Sequence, residues 1–156
     1  MMSNLIDDVQ KRWDELFNAV QGCKRCPLCR YRTNVVPGEG NRNASLMFVG
    51  EGPGRDEDLS GRPFVGAAGQ LLNKMIAAIG IRREDVYIAN VVKCRPPGNR
   101  VPKEEEAKAC IPYLRRQVYL IKPKVIVCLG ATALRYVIDP EARITRVRGQ
   151  WVERKG

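Results

Sequence analysis

Six cysteines and no histidine set the chemistry open to this chain. Cys23-x-x-Cys26 offers two thiolates from one tight loop. Cys94 and Cys110, with fifteen residues between them, offer two more. Four thiolates converging from these places suit a metal or a cluster. Zinc usually takes two short Cys pairs. Iron–sulfur clusters accept four Cys at variable spacing, so the wide second pair favours a cluster, with zinc or no metal as the alternatives. Cys29 and Cys128 are then surplus. Cys128 lies within the apolar run VIVCLG, where a free Cys serves as a small hydrophobe. Cys26-x-x-Cys29 is as good a pair by spacing as Cys23-x-x-Cys26. Any metal site must be built from Cys, Asp or Glu, and no catalytic imidazole exists.

These residues need elements to position them. Leu5, Ile6, Val9, Trp13, Leu16, Phe17 and Val20 fall at helical spacing and predict a helix with one apolar stripe, ended by Gly22. Leu46–Gly50 is a short continuous apolar run, expected as a buried strand. Val86–Val92 and Val125–Leu129 read as two more strands. Leu71, Leu72, Met75, Ile76 and Ile79 mark a helix closed by Gly80. Lys103 to Ile121 marks another, which Pro112 should kink or split because its ring removes a backbone N–H. A short helix is expected from Ala131 to Val137, and a hairpin or edge strand from Ile144 to Trp151. Strands alternating with helices predict a three-layer α/β/α fold with a central, mainly parallel sheet. Ligands of such sheets sit at the carboxyl ends of the strands. The loops beginning at Glu51 and at Cys94 leave those ends.

The length of 156 residues fits one domain, 1–156. Twenty-seven Lys and Arg against seventeen Asp and Glu leave a net charge of +10, which points to an anionic partner, nucleic acid first. No apolar run approaches the roughly 20 residues that cross a bilayer, so no membrane partner is expected. The polar, periodic start differs from a signal peptide. The expected location is cytoplasmic, nucleoid-associated in a prokaryote, where six cysteines do not read as a disulfide framework. A monomer is expected.

Gly50-Glu-Gly-Pro-Gly54, then Glu57-Asp58 and Gly61-Arg-Pro-Phe-Val-Gly66, resemble family 4 uracil-DNA glycosylase. The resemblance continues through Asn90-Val-Val-Lys-Cys-Arg-Pro-Pro97 and Asn99-Arg100, and it includes the Cys spacing. It covers most of the chain, most clearly Cys23 to Trp151. It implies a hydrolase of base-excision DNA repair, a glycosidase that flips uracil out of single- or double-stranded DNA, cleaves its N-glycosidic bond and leaves an abasic site. It implies a [4Fe–4S] cluster on Cys23, Cys26, Cys94 and Cys110. It also implies a uracil pocket of Glu51, Gly52, Gly54, Phe64 and Asn90, with Glu51, Glu57 and Asn99 as the polar groups near the chemistry.

The residue types agree with that implication. A flipped base must be read in a pocket. Phe64 would stack on it. The Asn90 amide pairs an acceptor and a donor with the N–H and carbonyl edge of uracil and mismatches cytosine. Glycines let the backbone approach the base. A carboxylate of Glu51 or Glu57 would orient water or offset positive charge developing on the sugar. Taken singly, each residue has a plainer reading: Phe64 as core, Asn90 as a loop cap, Glu57-Asp58 as a solvated pair. Lys93, Arg95 and Arg100 read as solvated charges or as phosphate contacts.

One departure stands out. In the family a further strand precedes a His-Pro-Ser motif that contacts uracil and DNA, and this chain has no His. The resemblance therefore implies a domain incomplete at its C-terminus, without the family's last strand and helix. It leaves two alternatives to a working glycosylase: a catalytically impaired iron–sulfur DNA-binding module of the same fold, or a redox iron–sulfur protein.

Overall fold

The computed structural model of the protein describes residues 2–154. Four strands, β1 (Glu39–Gly40), β2 (Leu46–Gly50), β3 (Tyr87–Asn90) and β4 (Val125–Cys128), form one sheet in the order β1-β3-β2-β4. β2 pairs in parallel with both β3 and β4, while β1 runs antiparallel to β3. The main helices are α1 (Met2–Gln21), α2 (Arg55–Ser60), α3 (Ala67–Ala78) and α4 (Glu104–Ile121). Two short ones follow, α5 (Ala131–Ala133), which runs into a wider turn over Leu134–Ile138, and α6 (Ile144–Val147).

Strand residues alternate between two cores, as the two-residue period of a pleated strand requires. Met47, Val49, Tyr87 and Ala89 face Trp13, Leu16 and Val20 of α1 and Ile111 and Leu114 of α4. Phe48 and Ile88 face Leu72 and Ile76 of α3. This is the expected three-layer arrangement.

Several elements depart from the sequence reading. The apolar stripe of α1 is only half covered: Trp13, Leu16 and Val20 are buried, while Leu5, Ile6 and Val9 are exposed. A 20-residue helix is about 30 Å long, whereas a five-residue strand spans about 17 Å, so the first turns overhang the sheet. Pro112 does not split α4. The carbonyl it leaves without that donor belongs to Lys108, an exposed residue of the helix. The loop after β2 contains α2, and the loop before it contains β1, both too short to carry a periodic signal. The tail expected as a hairpin or edge strand forms α6 instead. Its backbone bonds are local, from Val147 N–H to Arg143 O and from Arg148 N–H to Ile144 O.

The loop leaving β2 turns to the α3 face, and the loop leaving β3 turns to the α4 face. A crevice therefore opens between the carboxyl ends of β2 and β3, where Gly50 lies directly opposite Asn90.

Candidate active site and cysteine centre

Gly50 has no side chain, and two others fill the space above it. A Cβ there would lie 2.5 Å from the Phe64 ring and 2.6 Å from Asn90 Oδ1. Any side chain at position 50 would push both away. Asn90 is 1% exposed, and its Oδ1 is the one fully buried side-chain nitrogen or oxygen without a hydrogen-bond partner among the described residues. Leaving a buried acceptor unpaired is costly, which points to a partner supplied from outside the protein.

Phe64 adopts φ +50°, a left-handed backbone that is unusual for an aromatic residue. Its loop is gripped through both kinds of backbone group. Glu57 Oε2 accepts from the N–H of Val65 (3.0 Å) and Gly66 (2.7 Å), and Oε1 accepts from Gly54 N–H (3.0 Å). The Glu57 carboxylate thus joins the Gly52–Gly54 turn to the Phe64 loop. Asp58, far from being a solvated charge, is buried and accepts from Thr33 N–H at 2.8 Å.

Glu51 stands at the exit of β2, where its Oε2 accepts a 2.6 Å hydrogen bond from Thr132 Oγ1. Its Oε1 takes no hydrogen bond from the described residues. Gly52 packs on Val92, where a Cβ would come within 2.6 Å of Cγ2. Asn99 is on an exposed turn after β3, and its Oδ1 accepts from Arg95 Nε at 2.7 Å. None of its hydrogen bonds joins it to Phe64 or Asn90. The basic residues divide. Arg95 is partly exposed. Arg100 is engaged through both nitrogens by buried Glu106 (2.7 and 2.9 Å) and holds that carboxyl below the usual range. Lys93, read as a solvated or phosphate-facing charge, is buried, because its Nζ donates to Asn90 O (2.8 Å) and Gln117 Oε1 (2.7 Å).

The cysteines gather on the α1–α4 side. A recess is lined by Cys23, Cys26, Cys29, Cys94 and Cys110. Cys23 follows α1, Cys26 opens the turn Pro27–Arg30, Cys94 follows β3 and Cys110 lies in α4. Cys128 stays in β4. Arg32 Nη1 donates to Cys94 Sγ (3.3 Å), and Lys93 N–H donates to Cys110 Sγ (3.3 Å). Burial raises the thiols of Cys26 and Cys94 above the ordinary range and pushes Cys110 up to about 11. Such thiols stay protonated unless a metal takes the proton's place.

Among the described residues, no three Cys, Asp or Glu side chains close on one point as ligands of a single ion. Around zinc, Zn–S bonds of about 2.3 Å would draw them together. A four-iron cluster spreads its thiolates over separate corners, and a shared recess with hydrogen-bond donors aimed at the sulfurs fits that group. Cys29 lines the recess too, so the fold leaves both pairings available.

Thr132, Arg83 and Arg32 were not singled out in the sequence. Thr132 had a signal, since it follows a strand's carboxyl end in Gly130-Ala-Thr-Ala133. Arg83 and Arg32 had none, because their partners are distant in the chain.

Comparison with known families places this geometry. Residues 37–155 match the family model described as the uracil DNA glycosylase superfamily. A Type-4 uracil-DNA glycosylase of Archaeoglobus fulgidus is 54% identical over 144 residues, covering 90% of this chain and 72% of that protein. One of Thermotoga maritima is 56% identical over 135 residues, covering 86% and 70%. A Type-5 uracil-DNA glycosylase of Pyrobaculum aerophilum is 34% identical over 157 residues, covering 81% and 69%. With the glycine turn, the buried amide and the four-cysteine spacing all in place, this chain belongs to the uracil-DNA glycosylase superfamily, in its Type-4 branch.

Proposed function

We infer that the chain hydrolyses the N-glycosidic bond of uracil in single- or double-stranded DNA, and that it acts as a monomer, since one chain supplies every pocket residue described above. The observation that carries the reading is the unpartnered, buried Asn90 Oδ1 beside Phe64 and Gly50. In this reading a flipped uracil stacks on Phe64, its N3–H donates to Asn90 Oδ1, and the Asn90 amide N–H donates to O4. Cytosine presents an acceptor and a donor in the opposite order and is refused.

As the bond between C1′ and N1 breaks, its electron pair leaves with uracil, and positive charge grows on the sugar. The Glu51 carboxylate, steadied by Thr132, offsets that charge and orients the water whose oxygen bonds to C1′. The water proton passes to the carboxylate or to solvent. Glu57 holds the turn and loop at the pocket wall, and Asn99 with Arg95 forms a rim toward the DNA backbone. Cys23, Cys26, Cys94 and Cys110 would hold a [4Fe–4S] cluster. When bound, it ties the end of α1, the exit of β3 and α4 together.

Incubation with a uracil-containing oligonucleotide, with thymine and cytosine controls, tests the reading through abasic-site formation. Cleavage confined to uracil is expected, and an untouched uracil strand defeats it. Binding to DNA should weaken at least about tenfold between roughly 50 and 200 mM salt, because lysines and arginines release counterions from phosphate. A salt-independent affinity in a titration would exclude that mode. Thr132→Val keeps the shape and removes the donor to Glu51. It should lower kcat about tenfold with little change in KM, and Thr132→Ser should restore it. A Val variant with parental kcat would remove Thr132 from the mechanism.

A further inference from the structure

Phe64 is held in its left-handed backbone by a residue from outside its own loop. Arg83, in the turn before β3, donates from Nη2 to Pro63 O (2.6 Å) and from Nη1 to Phe64 O (3.0 Å). The same guanidinium is fixed by two further elements. Asn73 Oδ1 on α3 accepts from Nη1 (2.8 Å), and Glu39 Oε1 on β1 accepts from Nη2 (3.0 Å). Glu39 is itself held by Arg62 at 2.9 Å, from the residue before Pro63. At Gly69 the helix α3 lies directly against this loop: a Cβ there would sit 1.9 Å from Phe64 O. Glu57 grips the N–H groups of residues 65 and 66, while Arg83 grips the carbonyls of 63 and 64, so the strained residue is clamped on both sides.

An aromatic residue at positive φ persists only where its surroundings over-determine it, and such positions gather at ligand clamps. The left-handed turn carries the ring over Gly50, against Asn90. We propose that Arg83 is a positioning residue for uracil recognition, holding the Pro63–Phe64 backbone so that the ring lies where the base stacks. Glu39 and Asn73 orient the guanidinium. The short strand β1 thereby has a role at the pocket, through the carboxylate it brings to Arg83. This rests on the reading of Phe64 as the stacking residue.

The test is a double-mutant cycle on binding of free uracil, measured by calorimetry and as product inhibition, with Arg83→Met, Phe64→Ala and the double variant. Arg83→Met should weaken uracil about tenfold or more, as loss of charge-assisted hydrogen bonds does. On the Phe64→Ala background the same change should add less than about twofold, because residues acting through one another are not additive. Arg83→Lys keeps the charge beside Glu39 and loses the fork that spans two carbonyls, so it should behave like Met. If Arg83→Met does not fold, as read by circular dichroism, Arg83→Lys decides in the same cycle. Parental uracil affinity in the Arg83 variant, or an equal loss with and without Phe64, overturns the proposal. If Phe64→Ala itself leaves uracil affinity unchanged, the stacking reading falls, and that result is separate from an Arg83 variant that fails while Phe64→Ala succeeds.

Discussion

Asn90→Ala should lower uracil excision by about 10²–10³-fold, the size of effect seen when one donor is lost from a site of developing charge. The variant should melt within a few degrees of the parent. These two outcomes belong together. The Asn90 side-chain oxygen has no protein partner in a fully buried setting, so its removal breaks no internal hydrogen bond. An unpaired buried polar atom burdens the fold, and deleting it relieves that cost while opening a small cavity. The backbone carbonyl of Asn90, which Lys93 holds, is unaffected by the change. A residue kept for packing would behave oppositely, with a large loss of stability and a proportionate loss of activity. Abasic-site formation and a thermal melt on the same preparation distinguish the two. An Asn90→Ala protein as active as the parent would show that the base is read elsewhere.

The second large effect concerns the cysteines. The purified protein should be brown and carry about four irons per chain. Cys94→Ala and Cys110→Ala should lose the colour and unfold at much lower temperature. The recess joins the end of α1, the Pro27–Arg30 turn, the exit of β3 and α4. Cys94→Ala also removes the sulfur to which Arg32 donates. Structural zinc in zinc-finger peptides contributes about 10–16 kcal/mol, which shows that a metal group held by a few side chains can match the roughly 5–15 kcal/mol stability of a whole domain. Cys128→Ala, in the sheet and outside the recess, should keep its iron, and so should Cys29→Ala. Metal analysis decides: one zinc and no iron, or a Cys94→Ala protein with its full iron, would end the cluster assignment. Iron retained in Cys23→Ala together with iron lost in Cys29→Ala would instead select the Cys26-x-x-Cys29 pairing.

Much of this molecule can be read from its residues in order. The strands Leu46–Gly50, Tyr87–Asn90 and Val125–Cys128 and the helices α1, α3 and α4 stand where apolar periodicity places them, because a segment with one face to bury has few ways to do so. The glycine turn, Phe64, Asn90 and the four cysteines were legible as types and spacings, and the resemblance they carry led to the family the comparisons establish. Other features needed the tertiary structure. The continuity of the helix through Pro112 is one. A two-residue edge strand and a six-residue helix are too short for periodicity to mark. The tail forms a helical turn closed by its own local backbone hydrogen bonds, where the sequence predicts a hairpin or edge strand. Lys93 is a basic residue in a basic chain until the fold encloses it between Asn90 and Gln117. Glu57, one of two carboxylates near the chemistry by motif, is tied to three backbone amides, while Glu51 keeps one oxygen without a hydrogen bond from the described residues. Thr132 meets Glu51 across 81 positions, and Arg83 meets Glu39 across 44. Local pattern decides which segments form and which faces they bury. The partner of a polar side chain is decided by sheet register and by helix packing, which bring together residues that no window of the sequence contains.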